Sequence, residues 1–119
     1  MTKSKALYDF FNSFGIPAYP STSVPDDVTF PYMTYENTLS NNGGMTNPTL
    51  QLYYYTDSES VPNSKADEIS KKIGLGYGIP CDDGVIYAYM GSGWNAIANE
   101  NDSTIKQRYT NLTLIFNTY

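Results

Sequence analysis

Histidine is absent from this chain of 119 residues, and cysteine occurs once, at Cys81. The two scarcities exclude a good deal of chemistry. One thiol cannot close an intrachain disulfide, and no zinc site of the usual His and Cys ligands can be built. A nucleophilic cysteine normally works beside a histidine, so Cys81 reads as a reduced thiol of the kind found in cytosolic proteins. Charged residues are also few, at 16%, and the balance is acidic, with a net charge of −5. An acidic chain gains little from releasing counterions along a phosphate backbone, and it is repelled by an anionic bilayer. Neither nucleic acid nor membrane is therefore an expected partner. No apolar run is long enough to span a bilayer, and the opening MTKSKALYDFF carries no secretory pattern. A cytoplasmic site of synthesis is the expectation.

What is abundant is aromatic. There are twelve Tyr, five Phe and one Trp, and hydrophobic residues reach 40%. That share is too high for a disordered chain, and the length suits one domain spanning 1–119. Tyrosine pairs an apolar ring with a polar tip, so it favours sheet faces and surfaces that meet other proteins.

The periodicity gives the elements. Leu7, Phe10, Phe11 and Phe14 form one stripe on a helix expected over Thr2–Phe14, with Gly15 as its left-handed stop and Pro17 beyond. Ile16–Tyr19 reads as a short extended piece. A strand over Phe30–Glu36 puts Phe30, Tyr32 and Thr34 on one face and Met33 and Tyr35 on the other, with Pro31 suggesting an edge. Leu39–Pro48, rich in Asn and Gly, reads as a mobile loop joining two antiparallel strands. Thr49–Thr56 is the second strand, with Leu50, Leu52 and Tyr54 on one face and Gln51, Tyr53 and Tyr55 on the other. A second helix carries Pro62, Ala66, Ile69 and Ile73 on one stripe. Ser60 or Ser64 would cap it, Ser64 with Asp67 as a short capping box, and Gly74 would end it. Gly76–Pro80 reads as an irregular link. Strands follow at Val85–Met90 and Trp94–Ala98, and a long one at Thr104–Asn117 has Leu112, Leu114 and Phe116 on one face. Helices and strands that cluster rather than alternate predict an α+β fold, a mostly antiparallel sheet with two helices packed on one face.

Functional signals are sparse. Without histidine, acid–base work falls to carboxylates, and Asp26-Asp27, Asp57/Glu59, Asp82-Asp83 and Glu100/Asp102 are the pairs available to a glycosidase-like site. Each lies in a turn-like segment, where aspartate serves local hydrogen bonding. Gly74-Leu75-Gly76-Tyr77-Gly78 follows a helix and lacks the Lys and Ser/Thr of a phosphate loop. Tyr53, Tyr55 and Trp94 are candidate stacking rings for a carbohydrate-binding module. No cofactor and no metal are expected.

Several segments in order carry a resemblance: ALYDFFNSFGIPAYP, FPYMTYEN, LQLYYYTDSES, KADEISKKI, GVIYAYM and RYTNLTLIFNTY. Together they resemble the tail terminator, or tail-completion, proteins of long-tailed bacteriophages, which include tail-to-head joining proteins. Other phage head–tail connector and minor capsid proteins of similar size are the neighbouring alternative. The resemblance implies a non-enzymatic virion protein assembled in the host cytoplasm. It implies a homo-oligomeric, hexameric ring that caps the tail tube and offers the head connector its attachment surface. Pairing of sheet edges around a closed ring would hold the copies together. Asn41, Asn42, Gly43, Gly44 and Met45 are the expected partner-facing residues, although the composition of Leu39–Pro48 equally suits a long solvated hairpin loop.

Overall fold

The computed structural model describes residues 1–98 and 101–119. In chain order these form α1 (Lys3–Phe11), β1 (Ala18–Pro20), β2 (Tyr32–Tyr35), β3 (Gly44–Thr46), β4 (Thr49–Tyr55), α2 (Ser60–Ile73), β5 (Tyr77–Cys81), β6 (Gly84–Met90), β7 (Asn95–Ile97) and β8 (Ile105–Thr118). The fold is α+β: two helices and a curled, mostly antiparallel sheet in the order β1-β2-β4-β8-β6-β5, with β3 and β7 also on β8. Among the described residues, only the β1–β2 pair is parallel.

The long strand β8 organises the sheet. Its even positions from Arg108 to Thr118 are buried, while the odd positions beside them stay partly open. Both neighbours of β8 are broken midway. On one side β3 and β4 keep a single register, since Thr46 stands opposite Leu114 and Thr49 opposite Asn111. The break is Asn47-Pro48, where proline has no N–H to give, although the Pro48 carbonyl accepts from the Leu112 N–H at 2.9 Å. On the other side Met90 faces Leu112 and Asn95 faces Tyr109. Gly91–Trp94 therefore bulges, and the Gly91 and Ser92 N–H groups both donate to the Asn111 carbonyl. Bulges of this kind bend a strand and raise its twist.

The helices lie on one side of the sheet. The α1 stripe is buried as expected, and the Thr2 hydroxyl caps it by accepting from the Lys5 N–H at 3.2 Å. The α-helix ends at Phe11, one tighter turn of 3-10 helix covers Asn12–Phe14, and Gly15 closes it at φ +88°. On α2, Pro62, Ala66, Ile69 and Ile73 are the buried residues. Phe11 stacks on Tyr35 of β2 with ring centroids 4.3 Å apart, while Phe10 meets Tyr77 of β5 at 5.1 Å. One helix thus bridges strands from opposite halves of the sheet order, and the curl of the sheet makes that reach possible. Lys65 and Lys72 of α2 tie the helices together by donating to the Phe14 carbonyl at 2.6 Å and the Ser13 hydroxyl at 2.8 Å.

Four local expectations are corrected. The Ser64–Asp67 capping box does not form: Glu59 is the N-cap residue, with no side-chain cap bond, and Asp67 pairs with Lys71 at 2.9 Å. The Gly76–Pro80 link is a strand, because the sequence alone does not reveal that β6 is there to pair with it. Pro31 lies ahead of β2, and β2 sits inside the sheet between β1 and β4. The Leu39–Pro48 segment is not a free loop: Gly44–Thr46 forms β3, and the Asn42 and Gly43 N–H groups donate to the Thr118 and Phe116 carbonyls, both at 2.7 Å.

Candidate interaction surface

Among the described residues, no helix or further sheet covers the side of the sheet away from the helices. Strand alternation dictates what it displays, because Leu50, Leu52, Met33, Leu112, Leu114 and Phe116 all turn inward and their neighbours must turn outward. The outward set is rich in tyrosine, and it divides into two patches along the length of β8.

The first patch lies over β1, β2 and β4. Tyr32 and Tyr53 stand opposite each other and stack, with centroids 4.6 Å apart and ring planes within 8°. Phe30 packs on Tyr32 at 5.6 Å and on Tyr55 at 5.9 Å, and Tyr19 approaches Tyr32 at 6.3 Å. Burial, and then the neighbouring Tyr53, push the Tyr32 hydroxyl above its ordinary range. Next to the stacked pair lies an open groove of about 530 Å3. Its floor is Thr34 and Gln51, which face each other across the strands, with Thr49 and Glu36 beyond them and Ser21 and Val24 along the side. The Glu36 carboxylate accepts from the Thr49 N–H at 2.6 Å through Oε1, and the Tyr53 hydroxyl donates to the Gln51 amide oxygen.

The second patch lies over β3, β8 and β6. Met45, Ile115 and Tyr87 form one row across three strands. Met45 is 60% exposed and Tyr87 37%. Asn41, Asn42 and Gly43 are exposed beside the row and Gly44 is half-buried, so the five residues expected to face a partner flank or join this apolar row.

The cations are all elsewhere. Lys3 and Lys5 are on α1, and Lys65, Lys71 and Lys72 on α2. Lys106 and Arg108 project from β8 on the same side as the inward Tyr54 and Leu52 opposite them. These are all seven Lys and Arg residues of the chain. Arg108 is 5% exposed and is held by Asn63 at 2.9 Å, by its neighbour's carbonyl and by Glu59. It clamps the start of α2 to the sheet.

The other sequence candidates do not gather. Trp94 packs against the core and donates its indole N–H to the Ser70 hydroxyl of α2 at 2.8 Å, on the helix side of the sheet. It cannot share a platform with Tyr53 and Tyr55. Asp82 and Asp83 are the two-residue turn between β5 and β6, Asp26 and Asp27 lie in the exposed β1–β2 connection, and Glu59 serves Arg108. Glu100 lies outside the described residues. Asp102 sits in a turn, its carboxyl held below the usual range first by hydrogen bonds from the Thr104 hydroxyl and N–H. Among the described residues no group of three metal-ligating side chains comes together.

Two edges of the sheet, β1 and β5, offer little to a strand from another copy, whereas β3 and β7 pair only with β8 among the described residues. Asn12 lies against β1: its Oδ1 accepts from the Ala18 N–H at 2.9 Å, and its Nδ2 donates to the Ala18 carbonyl at 3.1 Å. Pro20 has no donor, and its carbonyl accepts from the Ser23 N–H at 2.9 Å. At the other end β5 contains Pro80. Side-chain plugs and prolines of this kind blunt edges against strand addition.

No protein-family model matches the chain, and no curated protein or solved structure is significantly similar to it.

Proposed function

We propose that this protein is a structural subunit of a long-tailed bacteriophage, a tail terminator or tail-to-head joining protein acting through assembly and not through catalysis. Copies of the chain form a ring, hexameric as in the family it resembles, which caps the tail tube and receives the head connector. The protein then resides in the virion tail, after assembly in the host cytoplasm. Another head–tail connector role remains the alternative within the same particle.

The observation that carries the assembly reading is the row of exposed Met45 and Tyr87 around half-buried Ile115, on a sheet face that no helix among the described residues covers, beside Asn41–Gly44. Apolar side chains in contiguous surface patches mark interaction sites, and full burial of each contributes roughly 1.5–3 kcal/mol. Repeated around a closed ring, contacts of that size add up. Packing of faces then works together with pairing of sheet edges, for which β3 and β7 are better placed than the blunted β1 and β5.

Size exclusion with light scattering, on the protein alone and with purified tail tubes, tests the proposal. A ring or tube-bound species is expected, and Met45→Asp should abolish it while leaving the circular dichroism unchanged. A chain that stays monomeric and ignores tail tubes would refute the proposal.

A further inference from the structure

The groove on the first patch is separate from the Met45 row, and what lines it is specific. Thr34 lines the groove, and its hydroxyl makes no hydrogen bond within the described residues. The same holds for the Thr49 and Ser21 hydroxyls and the Gln51 amide nitrogen. It holds also for Glu36 Oε2, whose sister oxygen is the one occupied by the Thr49 N–H. Five polar groups, donors and acceptors mixed, thus converge without protein partners beside two aromatic rings.

We propose that this groove binds a neutral oligosaccharide. Phosphates and other anions are disfavoured because no cation stands on this face and a carboxylate does. A lipid or other apolar ligand is disfavoured because Val24 is the one aliphatic side chain among polar walls. A sugar fits both demands. Its hydroxyls can donate to Glu36 and Thr34 and accept from the Gln51 amide, while its C–H groups can pack against the stacked Tyr32–Tyr53 pair at the end of the groove. The volume falls within the range of ligand sites, about 300–1,000 Å3. Tyr53 is already oriented by its bond to Gln51, and the Tyr32 stack holds it in place, so little side-chain freedom is lost on binding.

This site does not rest on the ring reading, and the two fail separately. The test is an array of neutral and anionic glycans, with surface-bound polysaccharides included. NMR titration with soluble maltohexaose, cellohexaose and N-acetylchitohexaose runs beside it. At least one neutral glycan should bind, with amide shifts centred on Thr34, Glu36 and Gln51. Binding to surface-bound chains but not to free hexamers would assign the site to a polysaccharide, and the converse to a free sugar. Thr34→Val and Glu36→Gln preserve shape and should each weaken binding about tenfold. Tyr53→Ala should weaken it more, and Leu75→Ser, far from the groove, should not. Absence of any neutral ligand, binding of anionic glycans alone, shifts elsewhere, or full affinity in folded Thr34→Val and Glu36→Gln would each overturn the proposal.

Discussion

Asn12 offers a direct test of how the first sheet edge is closed. Its side chain makes three bonds to backbone groups: it donates to the Tyr8 carbonyl at 2.9 Å and to the Ala18 carbonyl at 3.1 Å, and accepts from the Ala18 N–H at 2.9 Å. Ala18 is 0% exposed, so water cannot replace the amide at its N–H. Each bond contributes about 1 kcal/mol net, and an unmet buried donor costs about 1–3 kcal/mol. Asn12→Ala should therefore destabilise the protein by roughly 3 kcal/mol, a large part of the 5–15 kcal/mol typical of a domain. For a chain of this length that corresponds to a fall in Tm on the order of 10 °C. Asn12→Asp sharpens the test. Its carboxylate can still accept from Ala18 but faces two carbonyls it cannot donate to, so its pKa in the folded state is raised. The variant should be weakest at neutral pH and recover in part as the pH falls and the acid gains a donor. Urea unfolding of both variants across pH reads these values. A loss below about 0.5 kcal/mol for Asn12→Ala, with an unchanged slope, would show that Asn12 does not hold the edge.

Other predictions concern titration and backbone space. Burial, and secondarily Tyr8, push the Tyr35 hydroxyl up to about 12. A folded pKa raised above the ordinary value of about 10 stabilises fully below pH 10 and progressively less up to pH 12. Denaturant melts at alkaline pH should record a loss approaching 3 kcal/mol across that window, and Tyr35→Phe should lose less. Gly84 sits at φ +142°, where an added Cβ would meet the Asn117 carbonyl oxygen at 2.3 Å. Gly84→Ala should cost roughly 2–4 kcal/mol, since backbone must move. Gly93→Ala, with nothing within 4 Å, should stay within about 0.5 kcal/mol of the parent in the same melts.

Much of the architecture was legible before the tertiary structure. The stripes Leu7–Phe10–Phe11–Phe14 and Ala66–Ile69–Ile73, the Gly15 stop, and the inward sets Leu50–Leu52–Tyr54 and Leu112–Leu114–Phe116 all follow from periods of 3.6 and 2. Those periods arise within one segment, so one segment suffices to read them. The groove was not legible in the same way. Thr34 shared a strand face with Tyr32, and Gln51 one with Tyr53, but nothing local says that β2 and β4 are neighbours in a register that sets Thr34 against Gln51. The β3 strand was hidden for the same reason, because Gly44-Met45-Thr46 has too little pattern to declare itself without β8 beside it.

The order of residues thus determined both helices, the principal strands with the face each buries, and the absence of histidine. The tertiary structure decided which outward residues meet, where all the cations went, and which edges are shut. The physical reason is that alternation and amphipathicity are carried by neighbours along the chain. Pairing, by contrast, depends on contacts between segments as far apart as Gly44 and Phe116, whose partnership only the closed core enforces.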